Sequence, residues 1–428
     1  MVILLSRGCI LWWLKLCGVL GLLWMIFLLR SSNMNWVHSR RLRYDWLEYT
    51  DADNSPEKVC NCSAILHGER EALEQAKLLT ITKEFLKRIQ IPDEYYVNAS
   101  QDCRNFKLSR KYVTFPLSQE EKEFPLAYSM VVHHKVQNFE RLLRAIYAPQ
   151  NIYCVHVDKK SKPSVVAAIM AITSCFPNVL MVSRRVSVVY AGWPRVQADL
   201  NCMANLYNST TKWKYFINLC GQDFPLKTNL EIVRTLKALR GGNSLESEKM
   251  PNEKRWRMTY THQIVDGILQ RTGNTKGPPP FNLPIFSGNA YIVVSRGYIR
   301  NVLEDSRILA LMEWFKDTYS PDEFLWATIQ RIPGVSGSTR PHYKYDMSDI
   351  NAVARLVKWL SLEHQNDAAY PACQGNHVRT ICVYSAGDLE WMIKQHHLFA
   401  NKFDADKDPI PIYCLEKYLR HKALSDGL

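Results

Sequence analysis

The sequence predicts an α/β fold built on a mostly parallel β-sheet that helices cover on both faces. Short apolar runs alternate with segments whose apolar residues recur at helical spacing, as in chains of strand–helix–strand units. The runs are apolar throughout, which is typical of strands covered on both faces. Hydrophobic residues make up 47% of the 428 residues and charged residues 22%. This balance excludes a wholly disordered chain, a collagen and a coiled coil.

Four strands are predicted at the start of the folded part, and polar residues follow them. The strands are 127–132, 152–157, 179–182 and 215–219, and helices at 139–146, 164–174 and 196–206 separate them. His133, Asp158 and Asp223 come after strand ends. Ligands of such sheets bind beyond the carboxyl ends of the strands, so we expect a site there. The chain has no G-x-G-x-x-G and no P-loop motif, which excludes the usual dinucleotide and P-loop sites.

The first 115 residues predict a membrane anchor followed by a stem. Residues 8–29 contain one charge, Lys15, and are long enough to cross the ~30 Å hydrocarbon layer. A cleaved signal peptide is the alternative, but no small-x-small cleavage site follows. We predict a cytosolic tail at 1–7, a signal-anchor at 8–29 and a polar stem at 30–115, with a helical stretch at 69–90. The folded domain is then 116–428.

Sequons and cysteines predict that the bulk of the chain is lumenal, as in a single-pass type II membrane protein. Asn61, Asn98 and Asn208 begin N-x-S/T sequons and are candidate N-glycosylation sites. Twelve cysteines are present, and only Cys9 and Cys17 lie in the apolar span. In an oxidising lumen the others would be largely paired. Their spacing contains no repeated C-x2-C pair with histidine, which disfavours a zinc framework.

The charge balance predicts an anionic partner. The chain has 54 Lys and Arg against 41 Asp and Glu, a net charge of +13. Such a surface suits nucleic acid, a lipid surface or a phosphorylated ligand. No zinc-finger spacing is present and the only arginine-rich run is at 40–43, so nucleic acid is the weakest of the three.

Glu323 is the first residue with two interpretations. Ser320-Pro321-Asp322-Glu323 precedes a predicted helix at 324–332. The structural interpretation makes Ser320 the N-cap, places Pro321 at the first helical position and lets Glu323 close a capping box. The functional interpretation is a carboxylate that faces a cleft and acts as a general base.

Arg379 and Lys402 are candidates for neutralising a leaving diphosphate. A fixed guanidinium and ammonium could do so in place of a metal ion, although both could be ordinary surface charges. Asp-x-Asp pairs occur at 51–53, 404–406 and 406–408, but none ends an apolar strand, where a metal–diphosphate site would lie. We interpret all three as solvated turns and predict no metal site.

Long motifs resemble one known family, the core 2-type β1,6-N-acetylglucosaminyltransferases of the Golgi. They are AYSMVVHHK at 127–135, RLLRAIYAPQNIYCVHVD at 141–158, WPRVQADLNCM at 193–203, TYSPDEFLWATIQRIP at 318–333, KYDMSD at 344–349 and HHLFANKFD at 396–404. The similarity runs from about Cys62 to the carboxyl terminus and is greater to the core 2 enzymes, including the mucin type, than to the I-branching relatives.

The resemblance implies a GT-A glycosyltransferase fold for 116–428 and a location in the Golgi membrane. It implies inverting, metal-independent transfer from UDP-GlcNAc to the C6 hydroxyl of the GalNAc of core 1 O-glycans, with no cofactor. Glu323 matches the catalytic base, and Arg379 and Lys402 match the pair that binds the donor diphosphate. The other donor-binding matches are Val131, Val132, His133, Asp158, Lys159, Lys160, Tyr190 and Lys344. The acceptor-binding matches are Glu246, Lys254, Arg255 and Trp359.

The resemblance also implies a disulfide pattern and shows departures. The implied pairs are Cys62–Cys414, Cys103–Cys175, Cys154–Cys202 and Cys373–Cys382, and Cys220 matches a free thiol. Cys60 has no counterpart, and a Cys60–Cys60 bond would make a homodimer. The stretch 251–255 is two residues shorter than in the leukocyte-type enzyme, and Ser361 replaces a tyrosine that contacts the acceptor. Both departures bear on acceptor range.

Two rival functions remain open at this stage. One is the same chemistry on core 3 or I-branching acceptors, which the 251–255 stretch and Ser361 would decide. The other is a lumenal glycan-binding protein without turnover. Retention of Glu323, Arg379 and Lys402 together argues against a protein that has lost its activity.

Overall fold

The computed structural model describes residues 60–340, 351–363 and 368–426, together with positions 21, 24, 25 and 348. The strands in this part of the chain are β1 Leu126–Val132, β2 Ile152–Val157, β3 Val179–Met181, β4 Tyr215–Cys220, β5 Asp223–Pro225, β6 Ser244–Leu245, β7 Glu248–Lys249, β8 Tyr260–Val265, β9 Ile268–Thr275, β10 Phe286–Ser287, β11 Ile292–Ser295, β12 Leu356–Val357, β13 Asn376–Val378, β14 Ile381–Val383 and β15 Phe399–Asn401.

The helices of the described residues surround these strands. The α-helices are Cys62–Leu66, Arg70–Ile81, Lys83–Ile89, Asp93–Ala99, Cys103–Ser109, Gln119–Lys122, Val136–Ile146, Pro163–Ser174, Trp193–Tyr207, Asn229–Ala238, Trp256–Thr259, Arg296–Glu304, Ser306–Phe315, Leu325–Ile329, Leu360–Glu363, Leu389–Met392 and Ile410–Asp426. Single 3-10 turns occupy Asn252–Lys254, Pro280–Asn282, Pro321–Glu323 and Ala386–Asp388.

A six-stranded sheet forms the centre, in the order β3-β2-β1-β4-β11-β6. Strands β3, β2, β1 and β4 run parallel, whereas β11 pairs antiparallel with β4 and β6 antiparallel with β11. The prediction of a mixed α/β fold with a mostly parallel, covered sheet is confirmed. The four predicted strands and three predicted helices are all present, each within a few residues of its predicted limits.

Both faces of the sheet are buried because alternate residues of each strand enter different cores. Tyr128, Met130 and Val132 of β1 pack into one core, whereas Ala127 packs into the other. In β4, Ile217 belongs to the first core. This alternation follows from the period of two in an extended strand. Because both cores are apolar, β1 reads as an uninterrupted apolar run.

A third core lies beside the central sheet and joins the two ends of the described chain. The small sheet β12-β15-β5 contributes to it, as do the first described helix and the carboxyl-terminal helix. Ile65 and Leu415 are both fully buried there. The polar segment assigned to a stem therefore packs into the folded part from residue 62 onward. Tyr96, Phe106 and Tyr112 of the same segment enter the first core.

The predicted membrane anchor is corrected by the structure. Among the described residues, none of the helices combines the length and the apolar character that a bilayer crossing requires. The predicted span, 8–29, lies outside the described residues except for Gly21, Trp24 and Met25. The type II topology and the Golgi membrane location that depended on this span are withdrawn.

Three of the four implied disulfides are present, namely Cys62–Cys414, Cys103–Cys175 and Cys373–Cys382. The prediction of a Cys154–Cys202 bridge is wrong for this structure. Both are buried free cysteines, and Cys202 Sγ donates to the Cys154 carbonyl at 3.5 Å. Cys220 is a free cysteine, as implied. The Cys60 link between two chains stays a prediction.

The three sequon asparagines lie at exposed helix ends. Asn61 caps the helix Cys62–Leu66, where its side chain accepts a hydrogen bond from the Ala64 N–H. Asn208 is the C-cap of the helix Trp193–Tyr207, and Asn98 lies in the last turn of Asp93–Ala99. All three are exposed. Their glycosylation stays a prediction.

Candidate active site

The carboxyl ends of β1 and β2 bring the first predicted donor-binding residues together. Val132 is paired with Val157 in the sheet register, so His133 and Asp158 follow neighbouring strand ends. The Asp158 N–H donates to the Val132 carbonyl at 2.8 Å. Asp158 Oδ1 accepts the Lys160 N–H at 2.8 Å, which closes a tight turn after the strand. This turn fixes the backbone at the edge where a ligand would bind.

The charge at this edge comes from lysine and arginine. The rings of His133 and His134 lie 3.8 Å apart. Burial lowers the pKa of His133, and burial, together with repulsion from His133 when that ring is protonated, lowers the pKa of His134 to about 4. Both imidazoles are therefore neutral at pH 7. Lys160 turns its ammonium to the Val188 carbonyl at 2.7 Å, which places it against the loop that leads to Tyr190.

Arg379 sits in the turn of the hairpin β13–β14. Arg379 and Thr380 both have positive φ, 52° and 64°, and the Cys373–Cys382 disulfide ties the hairpin to the preceding loop. The Arg379 guanidinium lies 4.6 Å from the centre of the Tyr190 ring. Tyr190 is 67% exposed, so this pair forms an open wall and not a core contact. The hairpin thus places the Arg379 guanidinium beside Tyr190, a predicted donor-binding residue.

Lys402 lies directly after β15 and beside the same hairpin. Its Nζ is 3.5 Å from the Val378 carbonyl, and its backbone N–H donates to the Cys382 carbonyl at 3.3 Å. Burial lowers the pKa of Lys402, and the nearby Arg379 charge lowers it further. Two cations held together in this way would each be stabilised by a bound anion.

Glu323 is connected to this region through the backbone. The Ser320 N–H donates to the Ala191 carbonyl at 2.7 Å, next to Tyr190. Ser320 and Ala191 both adopt positive φ, 49° and 57°, which is costly for residues with a side chain. Strained backbone of this kind persists where surrounding contacts fix it, often at functional sites. A chain of contacts from Arg379 through Tyr190 and Ala191 to Ser320 therefore links the predicted diphosphate-binding region to the turn that carries Glu323.

The capping-box interpretation of Glu323 is wrong. Ser320 makes no side-chain capping hydrogen bond, and Pro321–Glu323 form a 3-10 turn. The α-helix begins only at Leu325, because Phe324 has a non-helical φ of −131°. The Glu323 carboxylate instead meets two cations: Oε2 lies 2.6 Å from Arg257 Nη1 and 3.5 Å from Lys254 Nζ. The side chain is 31% exposed, so a substrate can reach it.

A close backbone approach holds the Glu323 turn. The Gly288 N–H donates to the Glu323 carbonyl at 2.7 Å. A Cβ at position 288 would lie 2.3 Å from the Glu246 carbonyl oxygen, which only a glycine avoids. Glu246, a predicted acceptor-binding residue, is thereby placed beside the base.

Asp322 provides a second carboxyl group next to the candidate general base, Glu323. Burial raises the pKa of Asp322 to about 6, against the opposing charge of Arg195, and the Glu323 charge raises it further. Arg195 lies on the first turn of the helix Trp193–Tyr207 and pairs with Asp199, Nη1 to Oδ2 at 2.7 Å. Asp199 also accepts the Ser129 hydroxyl of β1 at 2.9 Å. A polar network thus runs from the central sheet toward the base.

Of the other predicted acceptor-binding residues, Lys254 lies beside the candidate base Glu323 and Trp359 lies beside the Arg379 hairpin. Lys254 contacts Glu323 and also donates to Ser287 Oγ at 3.2 Å. Trp359 forms an isolated β-bridge with Ile381, next to the Arg379 hairpin. Arg255 is exposed, and Arg257, not Arg255, carries the guanidinium that reaches Glu323. Lys344 lies outside the described residues.

Sequence reasoning missed Arg257, Asp322 and Arg195. Arg257 is separated from Glu323 by 66 positions, so only the tertiary structure reveals the pair. Asp322 was assigned to a capping motif. Its position next to the candidate base in the TYSPDEFLWATIQRIP motif was the one available signal.

The described residues contain two groupings of side chains that are close enough to hold a metal ion. One is Glu363, Cys373 and His377, and the other is Cys373, Cys382 and Asp388. Both use Cys373, whose sulfur is bonded to Cys382, so neither set is available while that disulfide is intact.

The aspartates of the carboxyl-terminal Asp-x-Asp pairs differ in exposure: Asp404 is buried, Asp408 is half-buried and Asp406 is exposed. Asp404 is buried and contacts Lys135, so its interpretation as a solvated residue was wrong. Lys135 also pairs with Asp406 at 3.2 Å. Burial raises the pKa of Asp408 to about 7. The pair at 51–53 lies outside the described residues.

The free thiol of Cys220 lies at the end of β4 within a hydrogen-bonded cluster. Its backbone N–H donates to Asp223 Oδ2 at 2.6 Å, and Asn401 Nδ2 donates to its sulfur at 3.3 Å. Burial and the Asp223 charge raise the pKa of Cys220 to about 12, so the sulfur is a thiol at neutral pH. It has the surroundings of a structural cysteine and not of a nucleophile.

Comparisons with known proteins show the family of the chain. The family described as Core-2/I-Branching enzyme matches residues 126–393. The chain is 55% identical over 375 residues to a human β-1,3-galactosyl-O-glycosyl-glycoprotein β-1,6-N-acetylglucosaminyltransferase, covering 87% of this chain and 88% of that protein. It is 51% identical over 400 residues to the human relative that carries the same name with the number 3, covering 92% and 90%. A relative of the same name from Bovine herpesvirus 4 is 52% identical over 402 residues, covering 92% and 89%.

Proposed function

This chain belongs to the Core-2/I-Branching enzyme family, and we propose that it is a β1,6-N-acetylglucosaminyltransferase that adds GlcNAc from UDP-GlcNAc to the GalNAc of core 1 O-glycans. The observation that supports the proposal is the chain of contacts described above. Arg379 contacts Tyr190, and the neighbouring Ala191 is bonded to Ser320 in the turn that presents Glu323. In the proposed function the base and the two cations act on one substrate pair.

The proposed reaction is a single in-line displacement. The acceptor O6 attacks the anomeric carbon of GlcNAc from the face opposite UDP, and Glu323 takes the O6 proton. The bond between the anomeric carbon and the phosphate oxygen breaks, and its electron pair leaves with UDP. Because attack and departure occur on opposite faces, the α-linked donor gives a β product.

Arg379 and Lys402 would act on the leaving group. Negative charge grows on the diphosphate as the bond breaks, and preorganised cations stabilise that charge without reorganisation. We propose that these two side chains take the place of a metal ion, so that the reaction is metal-independent. The nucleotide would bind at the edge of the sheet, where we propose that it contacts Val131, Val132, His133, Asp158, Lys159, Lys160 and Tyr190.

The choice of core 1 acceptor rests on the relatives, whose name describes a β-1,3-galactosyl acceptor. Core 3 acceptors are the second candidate, because residues 251–255 and Ser361 differ from the core 2 leukocyte-type pattern. I-branching is the third, because the family description includes it. The common chemistry of the three is transfer to a sugar C6 hydroxyl.

Transfer from UDP-GlcNAc to core 1, core 3 and poly-lactosamine acceptors by the purified chain tests this function. We expect transfer to core 1, with a β1,6 linkage in the product by NMR. Glu323→Gln should lower kcat by about 10²-fold or more while UDP binding is retained. Glu304→Gln is the matched control, since Glu304 is an exposed glutamate at the end of the helix Arg296–Glu304. UDP-GlcNAc binding without transfer to any acceptor would favour the glycan-binding alternative.

A further inference from the structure

Arg257 holds one oxygen of the candidate base. Its Nη1 lies 2.6 Å from Glu323 Oε2, and the Lys254 ammonium approaches the same oxygen at 3.5 Å. In the part of the chain that the structure describes, no hydrogen bond reaches Glu323 Oε1. The carboxylate is therefore engaged on one side and open on the other.

Aromatic rings fix the position of the Arg257 guanidinium. It lies 5.5 Å from the centre of the Tyr319 ring, 5.9 Å from that of Trp256 and 6.0 Å from that of Phe324. The Arg257 carbonyl accepts the Tyr319 N–H at 3.4 Å, so the two segments are also joined through the backbone. Arg257 Nε is buried and makes no hydrogen bond among the described residues. Arg257 thus contacts the carboxylate through Nη1, while its Nε is enclosed by the protein.

This geometry has two opposite effects on a general base. A cation at hydrogen-bond distance favours the ionised carboxylate and so reduces its tendency to take a proton. The same contact fixes the carboxylate orientation, and correct orientation of a base toward its substrate contributes strongly to the rate. A planar guanidinium can impose an orientation that a single ammonium cannot.

We propose that Arg257 is a positioning residue for the transfer reaction: it binds Glu323 Oε2 and so presents Oε1 to the acceptor hydroxyl. Arg257 acts through Glu323 and contacts neither the donor diphosphate nor the proton that is transferred. The inference rests on the function proposed above, because it requires Glu323 to be the base.

Arg257→Gln in the full chain tests the proposal. We expect kcat to fall by about tenfold to 10²-fold, with less than a threefold change in acceptor KM, because orientation of the base is lost while acceptor contacts remain. A merely structural role would lower the melting temperature and leave kcat of the folded protein unchanged.

Arg257→Lys separates charge from orientation. The lysine variant restores the charge without the planar fork, so it should recover kcat only in part. Arg271→Gln is the matched control, since Arg271 also packs on a ring, that of Tyr260, but on the exposed strand β9. It should leave kcat unchanged.

The outcomes distinguish a failure of the Arg257 proposal from a failure of the proposed function. Wild-type protein that transfers no sugar would overturn the proposed function. Active wild-type protein together with unchanged kcat in Arg257→Gln would overturn the role of Arg257 alone. A higher kcat in Arg257→Gln would also overturn it, because Arg257 would then restrain the base.

Discussion

The ammonium of Lys402 lies 3.5 Å from the carbonyl oxygen of Val378. Val378 is the last residue of β13 and directly precedes Arg379, so this contact brings the two predicted diphosphate-binding cations to one hairpin. Two fixed cations repel each other, and the nearby Arg379 charge contributes to the lowered pKa of Lys402. An anion between them would relieve this repulsion, which makes the arrangement suited to a charged leaving group.

Arg379→Ala and Lys402→Ala should each raise the UDP-GlcNAc KM and lower kcat, by about 10²-fold in kcat/KM, because charge on the leaving group grows in the transition state. Arg379→Lys should recover only part of the loss, since a point charge does not reproduce the planar fork on two phosphate oxygens. Steady-state kinetics with varied UDP-GlcNAc measure these effects. A change confined to the acceptor KM, with the UDP-GlcNAc KM and kcat unchanged, would contradict the assignment.

Excess EDTA should leave the activity unchanged if the two cations replace a metal. The measurement compares turnover with EDTA and with added Mn²⁺, after removal of trace metal. Activity that EDTA abolishes and Mn²⁺ restores would contradict metal independence. Asp404, Asp406 and Asp408 would then be the first residues to test as ligands.

Reduction of the Cys373–Cys382 disulfide should weaken donor binding specifically. This bridge closes a short loop, with a sequence separation of 9, at the base of the hairpin that carries Arg379. Removing it by Cys373→Ser and Cys382→Ser should cost about 2 to 3 kcal/mol of unfolding free energy. The UDP-GlcNAc KM should rise, because the guanidinium would lose its fixed position, while the acceptor KM should change less.

Removal of the Cys103–Cys175 bridge is the matched control. It spans 72 positions, so the chain-entropy model predicts a larger stability loss of about 4 kcal/mol. It joins helices away from the hairpin, and we expect no change in UDP-GlcNAc KM at a temperature where both variants are folded. Equal effects of the two double variants on KM would show a general effect of stability.

Local patterns predicted the central sheet well because both of its faces are buried. An apolar run between turn residues was enough to predict the strand 152–157, and β2 has the same limits. The base turn could not be predicted in the same way. Ser320 has a side chain suited to an N-cap, but its positive φ and its bond to Ala191 remove it from that role. That bond joins residues 129 positions apart, which no local pattern encodes.

Composition likewise failed to show where the folded part begins. Residues 62–112 are polar on average, yet Tyr96, Phe106 and Tyr112 are almost fully buried in the first core. A few large aromatic side chains contribute more buried area than their number suggests. Polarity averaged over the segment therefore predicted a stem where the chain packs onto the central sheet.

Asp322→Asn should stabilise the protein at neutral pH. Because the folded-state pKa of Asp322 is raised from 3.8 to about 6, the folded state binds this proton more tightly than the unfolded state. Stability therefore falls as the pH rises from about 4 to about 6, and the cost persists above that range. The variant should gain up to about 3 kcal/mol at pH 7.5 and little at pH 4, by urea unfolding. Asp266→Asn, at an exposed turn, should show no such difference.

Glu140→Gln should destabilise the protein strongly, because the Glu140 carboxylate lies in a buried ion-pair network. Through Arg144 this network also reaches the carboxyl-terminal helix. The buried carboxylate contacts Arg110, accepts the Tyr112 hydroxyl at 3.2 Å and lies 3.3 Å from Arg144 Nε. Arg144 in turn pairs with Glu416 of the carboxyl-terminal helix at 2.9 Å. Removing one charge from a buried network leaves its partners uncompensated and costs about 3 to 5 kcal/mol. Urea unfolding at pH 7 measures the loss.

The pH dependence identifies the charge of Glu140 as the cause of that loss. Burial alone would raise its pKa, but Arg110 and Arg144 hold the pKa at about 2. A lowered carboxyl pKa contributes stability that is present above about pH 4.5 and is lost as the pH falls toward 2. The difference between wild type and Glu140→Gln should therefore shrink over that range. Glu390→Gln, which breaks an exposed pair with Lys394, should cost less than about 1 kcal/mol at any pH. A gap for Glu140→Gln that stayed constant with pH would assign the loss to packing, because the amide fills nearly the same volume without the charge.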